Sequence, residues 1–353
     1  MADQGEKRMK KSILTLVVGF SLLLAGLAQA NERLFVYNWS EYMPEAVIAL
    51  FEKETGIKVV YTTYDANEAM YARIRLLDGK GYDLIFPSTY YVDKMRKEGL
   101  LMPLNKELLP GLVHLDPSLL NKSYDPENRY SLPYLWGSTA IGVHAGLVDA
   151  SKVTAFADLW KPEYKGRVML TNDMREVFGL ALHVLGYSGN SVKEAEIAAA
   201  YEKLRDLMPS LRLFAAENQK QVLLSGEAVI GAIWNGEAYM AAEENPDIRY
   251  VYPKEGAVFW VDSMAIPKGA ANPEGAHRFI NFILRPEIAK MITEEIGYAT
   301  PNKAAKAFLS PEVASNPTVY PDAELVHNGE FQNDVGDAIL IYQRYWERLK
   351  TGR

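Results

Sequence analysis

The chain of 353 residues contains no cysteine, which excludes a disulfide scaffold, thiolate chemistry and a lipid-anchored cysteine behind a leader. Histidine is scarce. His114, His144, His183, His277 and His327 stand singly, without the spacing of metal ligands. There is no Gly-x-Ser-x-Gly nucleophile elbow and no glycine-rich phosphate loop. No metal or cofactor is therefore expected, and an extracellular hydrolase, the main rival reading, lacks its usual machinery. Internal repeats, low-complexity tracts and long linkers are also missing.

Positive charge is in short supply as well, with 38 Lys and Arg against 45 Asp and Glu and a formal charge of -7. Lys10 and Lys11, the apolar run Ile13 to Leu27 and the small-x-small site Ala28-Gln29-Ala30 predict a secretory leader over 1–30, cut after Ala30. Met9 has the form of the usual leader start, with residues 1–8 ahead of it. The leader carries four basic and two acidic residues, so its removal moves the formal charge from -7 to -9. That acidity argues against nucleic acid and weakly favours a cationic ligand.

Hydrophobic residues make up 48% and charged residues 24%, the balance of a globular protein. From residue 34 the pattern alternates: Leu34 to Trp39 as strand, Pro44 to Thr55 as helix, Lys58 to Thr63 as strand, Glu68 to Leu77 as helix, Asp83 to Pro87 as strand. A second series begins near Ala140, with strands at Arg167 to Leu170 and Ala228 to Trp234 and helices at Met174 to Leu185 and Val192 to Leu207. Gly256 to Ile266 reads as strand, Pro273 to Leu284 as helix, and Ala338 to Leu349 as a closing helix. This alternation predicts α/β units with a parallel-type sheet covered on both faces. Ligands of such sheets bind beyond the carboxyl ends of the strands, so those ends hold the candidates.

Trp39 ends the first strand and is followed by Ser40, Glu41 and Tyr42; Ser88, Thr89 and Tyr90 follow Pro87. Trp234 closes another strand, and the period of two puts Trp260 and Asp262 on one face. Asp173 fits a helix N-cap and Glu176 its capping-box partner, a purely structural role that still leaves carboxylate oxygens for a ligand. For any one tryptophan, core packing is explanation enough. Gathered at successive strand exits, aromatics and acids suit a flexible chain of methylenes with ammonium ends. Ring faces cover the methylenes and attract the cations, at about 0.5–2 kcal/mol each. Acids must then meet the nitrogens, because an unpaired buried ammonium is very costly.

Several segments resemble the periplasmic spermidine/putrescine-binding components of bacterial polyamine ABC importers: Asn38-Trp39-Ser40-Glu41-Tyr42, Lys53 to Val59, Pro87 to Lys94, Asp158 to Glu163, Ile233-Trp234-Asn235-Gly236, Pro253 to Gly256 and Gln332 to Gly336. The resemblance implies a two-lobed α/β periplasmic binding protein fold of type II, with the ligand between the lobes. It implies an N-terminal lobe of 31–137 plus 259–306 and a C-terminal lobe of 138–258 plus 307–353. Trp39, Tyr42, Tyr90, Trp260 and Tyr298 would form aromatic walls, with Trp234 a further aromatic contact. Asp173 and Glu176 would meet one end of the ligand and Asp262 another amine, with Ser40, Ser88 and Gln332 as polar contacts. Ala216 stands where the family can place a serine contact. Thr89-Tyr90-Tyr91 and Phe259-Trp260 favour spermidine over putrescine. The implied protein is a monomeric, non-enzymatic periplasmic carrier whose partner is an inner-membrane ABC permease. A sensor reporting polyamine to a receptor, or a binder of another solute such as an oligosaccharide, would share part of this site.

Overall fold

The computed structural model describes residues 32–216 and 218–352. The predicted leader lies outside the described residues. In the first part of the chain, β1 (Arg33–Trp39), β2 (Lys58–Tyr64) and β3 (Leu84–Ile85) alternate with α1 (Glu45–Thr55) and α2 (Asn67–Leu76), and α3 (Thr89–Lys97) follows. Pro44 stands immediately before α1, and Gly56 ends it at φ 76°, donating its amide to Glu52 O. β1 pairs in parallel with both β2 and β3, so Trp39, Tyr64 and Ser88 leave the sheet at one edge.

The chain then runs through β4 (Ser131–His144) into a second alternation: β5 (Val168–Thr171), α4 (Met174–Val184), α5 (Glu194–Leu207), β6 (Leu211–Ala215), α6 (Gln219–Leu224), β7 (Ile230–Trp234) and α7 (Asn235–Glu244). β5 is parallel to β6 and β7, and the carboxyl ends of these strands release Asp173, Ala216 and Trp234. After these come β8 (Ile248–Val251), β9 (Val258–Ala265), α8 (Pro273–Ile283), α9 (Pro286–Ile296), β10 (Glu330–Phe331) and α10 (Ile339–Thr351).

The sheet is mixed, not parallel throughout. Its order is β2-β1-β3-β9-β4-β7-β5-β6, with β10 on β9 and β8 on β4. β4 is the long strand that the alternation pattern did not reveal: Pro133 and Gly137 interrupt it, and its register against β9 shifts between Pro133 and Leu135. Its first part pairs antiparallel with β9 and its second part with β7 and β8, which ties the two alternations into one hydrogen-bonded path.

Two large apolar cores flank this junction. One gathers residues between 34 and 135 with residues between 260 and 298; the other gathers residues between 141 and 232 with residues between 335 and 349. Each is assembled from separate stretches of chain, and β4 runs from one core to the other. In the second core, β7 passes so close to β5 that a β-carbon on Gly231 would overlap Met169 O. Since backbone cannot swing aside as a side-chain tip can, Gly231→Ala is expected to destabilise the protein by about 3 kcal/mol. A urea midpoint equal to that of the parent would show that the strands part without penalty.

Candidate functional site

The two carboxyl edges face each other across a cavity, and it is lined by Trp39, Ser40, Tyr42, Tyr64, Asp65, Ser88, Asp173, Glu176, Ala216, Trp234, Glu237, Trp260, Asp262 and Tyr298. Parallel pairing explains the convergence: residues just past the ends of β1, β2 and β3 meet residues just past the ends of β5, β6 and β7. β9 enters from the side. Ile85 pairs with Ala265 in antiparallel sense, and the same register three residues on sets Ser88 against Asp262.

That register fixes the first acid. Asp262 accepts from Ser88 Oγ at 2.6 Å and from Tyr42 Oη at 2.8 Å. Both donors are neutral. Burial pushes its carboxyl up to about 7, although these two hydrogen bonds oppose the rise. Tyr42 is held in turn by the Tyr134 hydroxyl, which donates to Tyr42 O at 2.6 Å.

Asp173 caps α4 as its position predicts, accepting from the Glu176 amide at 3.0 Å. The reciprocal half of the capping box does not form. Glu176 turns instead toward β7, where both of its carboxylate oxygens accept from Trp234 Nε1 at 2.9 and 2.8 Å. Asp173 is raised above the usual carboxylate range by burial, and Glu176 well above it by burial and then by the Asp173 charge. Glu68 adds to this pressure, its own carboxyl being pushed to about 7 by burial and next by Asp173. Arg175, between the two acids in sequence, forms no ion pair with either among the described residues, although its charge favours the ionised form of Asp173: its guanidinium donates to Asn333 O, Gly189 O and Asn190 Oδ1.

The walls are aromatic. Trp260 and Tyr298 pack with centroids 5.4 Å apart, Tyr42 and Tyr298 at 5.2 Å, and Trp39 and Trp234 at 6.0 Å across the cavity. Indole nitrogens are used to lock the rings, Trp39 Nε1 donating to Phe86 O at 2.9 Å and Trp260 Nε1 to Thr139 Oγ1 at 3.3 Å. Ring faces thus form fixed walls between buried carboxylates. Among the described residues, no lysine, arginine or histidine lines the cavity.

Of the residues singled out in the sequence, Trp39, Ser40, Tyr42, Ser88, Asp173, Glu176, Trp234, Trp260, Asp262 and Tyr298 line the cavity. Tyr90 and Gln332 do not. Tyr90 stands one layer back as a strut, its hydroxyl donating to Asp173 Oδ2 at 3.0 Å and its ring lying 5.5 Å from the Arg175 guanidinium. Gln332 directly follows β10, its amide donating to Phe259 O at 2.7 Å and its carbonyl accepting from Thr89 Oγ1 at 3.3 Å. It lines a separate cavity with Trp136 and Val261, which the alternation of β9 places on the opposite face from Trp260 and Asp262. Tyr64, Asp65 and Glu237 were not foreseen. Tyr64 and Asp65 follow the strand-end rule applied to β2. Glu237 sits inside a helical turn, where an acid ordinarily faces solvent. Among the described residues no cluster of His, Asp and Glu has the arrangement of a metal site.

Comparison with known proteins agrees with this geometry. The family model for bacterial extracellular solute-binding proteins matches residues 46–321. The chain is 52% identical to the spermidine/putrescine-binding periplasmic protein of Escherichia coli over 348 residues, 98% of this chain and 100% of the relative. It is 33% identical to the putrescine-binding periplasmic protein PotF of Escherichia coli, covering 98% of this chain and 99% of the relative. Among solved structures, a putative spermidine/putrescine ABC transporter from Listeria monocytogenes superposes with a TM-score of 0.86 at 38% identity, covering 91% of this chain and 100% of the other. The chain belongs to the bacterial extracellular solute-binding proteins and has their two-lobed type II periplasmic binding protein fold.

Proposed function

We propose that this protein is a non-enzymatic carrier that captures linear polyamines, spermidine foremost and putrescine also, in the periplasm and delivers them to an inner-membrane ABC permease. The observation that carries this reading is a lining rich in buried carboxylates and, among the described residues, free of basic side chains, set between aromatic faces. Carboxylates raised by burial are poor occupants of a site for a neutral or anionic solute. An elongated polycation supplies the missing counter-charges, and its methylenes occupy the space between the rings. The relatives named for spermidine and putrescine support the same ligand class.

The two apolar cores correspond in this reading to lobes of 31–137 plus 259–306 and 138–258 plus 307–353, which open and close about β4 and β9. Tyr90 to Asp173 and Lys97 to Asp334, at 3.2 Å, are contacts that opening would break. The protein works as a monomer released by cleavage after Ala30. Titration of the mature protein with putrescine, spermidine, spermine and a neutral oligosaccharide, followed by tryptophan fluorescence, tests the proposal. Saturable polyamine binding tighter than about 10 μM is expected, with no response to the sugar. A flat response to every polyamine would defeat it.

A further inference from the structure

The reverse face of β4 and β9 carries a second cavity, and its chemistry is the opposite of the first. Trp136 of β4 and Val261 of β9 are register partners, so their side chains share a face, the one turned away from Trp260 and Asp262. With Tyr124, Tyr320, Val326 and Phe331 they border a cavity of about 390 Å³, within the size range of small-molecule sites. The rings are gathered loosely, Trp136 standing 6.4 Å from Tyr320 and 6.3 Å from Phe331 between centroids.

Charge at this cavity is basic, in a protein that is acidic as a whole. Its described lining residues include Lys122, Lys303 and Lys306 and a single carboxylate, Asp116. Asp116 is held below the usual carboxylate range by the Ser118 amide, which donates to it at 2.8 Å, and further by the Lys303 and Lys306 charges. None of the three ammonium groups forms a hydrogen bond or an ion pair among the described residues, although Lys306 rests over the Tyr320 ring at 4.5 Å. The Trp136 indole nitrogen has no acceptor among them either, whereas Trp39, Trp160, Trp234 and Trp260 all donate. Solvent alone accounts for exposed lysines. It does not account for three half-buried rings held apart around one space, which suit a flat apolar body bearing one negative charge.

The walls of this cavity belong to both lobes of the proposed carrier. Trp136, Val261, Lys303 and Lys306 fall in 31–137 plus 259–306, and Tyr320, Val326 and Phe331 in 307–353. Trp136 also bridges to Ala299, the chain neighbour of Tyr298 in the first cavity. An occupant touching both walls fits the lobe arrangement in which Tyr90 reaches Asp173, and movement of one lobe against the other spoils that fit. By linkage, a molecule that prefers this arrangement raises the affinity of any ligand that also needs it. We infer that the cavity is a second ligand site, for a flat apolar or aromatic carboxylate, and that its occupant is a positive effector of polyamine binding. The effector role rests on the polyamine reading of the first cavity.

Calorimetric titration of the mature protein with indole-3-acetate, indole-3-acetamide and tryptamine at pH 7.5 tests this, because the three share one ring system and differ in charge. Indole-3-acetate is expected to bind with a dissociation constant below about 1 mM, and the neutral amide at least about 10-fold more weakly. In the double variant Lys303→Gln, Lys306→Gln, indole-3-acetate affinity is expected to fall about 10-fold, while spermidine affinity measured alone and the melting temperature keep their parent values. Saturating the parent with indole-3-acetate is expected to tighten spermidine binding about 5- to 10-fold. Val326→Trp, which fills the cavity, is expected to abolish both responses. No binding of indole-3-acetate, equal binding of the acid and the amide, or full affinity in the lysine variant would overturn the site. Binding that leaves spermidine affinity unmoved would overturn the effector role. A parent that takes indole-3-acetate but no polyamine would instead defeat the proposed function and leave the second site standing.

Discussion

Asp262→Asn is expected to weaken spermidine binding by about 100-fold or more while leaving the ligand-free protein at least as stable as the parent. The carboxylate is buried and, among the described residues, accepts only from Ser88 and Tyr42 and has no cation paired with it. An ammonium placed there loses its only counter-charge in the variant, a change that amounts to about 2–5 kcal/mol when one partner of a buried charged pair is removed. The asparagine is tolerated because its carbonyl can accept from Tyr42 and its amide can donate to the Ser88 hydroxyl. The ligand-free protein gains, since an uncompensated buried charge disappears. Calorimetric titration and thermal unfolding of both proteins decide the matter: unaltered affinity removes Asp262 from the ligand, and loss of affinity with collapse of the fold makes it structural.

Acidification is expected to produce an effect of similar size. Asp262 and Glu237 are each pushed to about 7 by burial in the ligand-free protein. A bound ammonium favours the ionised form and lowers both values, so binding between pH 5 and 7 expels protons. Proton competition at pH 5.5 reduces affinity roughly 30-fold for each group with a value near 7, and Asp173 and Glu176 act in the same direction. The dissociation constant for spermidine is therefore expected to rise by about two orders of magnitude or more from pH 7.5 to pH 5.5, where alkylammonium groups remain charged.

Stability of the ligand-free protein should respond in the opposite sense. A carboxyl with a raised folded value contributes stability that is full below its unfolded value near 4 and is lost as pH rises through about 7. Mild acid thus relieves the empty site and weakens the filled one. The ligand-induced rise in melting temperature should shrink from pH 7.5 to pH 5.5, and titrations in buffers of different ionisation enthalpy should register proton release. A dissociation constant independent of pH over this range would mean that the acids stay ionised without a ligand.

The legible part of the site followed from strand ends. Trp39, Ser40 and Tyr42 after β1, Ser88 after β3 and Trp234 at the end of β7 could be named because parallel strands deliver their last residues to a common edge, and Trp260 with Asp262 because the period of two sets them on one face of β9. The capping role of Asp173 was equally local. Glu176 was readable only as a capping partner or by resemblance, since its bond to Trp234 joins residues far apart in the chain. Tyr90 and Gln332, assigned to the ligand by resemblance, are not among the residues that line the cavity: Tyr90 braces Asp173 from α3, and Gln332 follows β10, which pairs with β9.

The amino-acid order alone determined the α/β alternation, the helix boundaries around Pro44 and Gly56, the family resemblance and the chemistry of the candidates, because these depend on side-chain type, short-range periodicity and local backbone preference. Only the tertiary structure decided that β4 and β9 bind the two alternations into one mixed sheet, which acids share an electrostatic field, and that Glu237 turns inward to line the cavity. Those outcomes depend on long-range pairing register and on how far burial desolvates each group, quantities set by residues distant in the chain and therefore invisible to any local pattern.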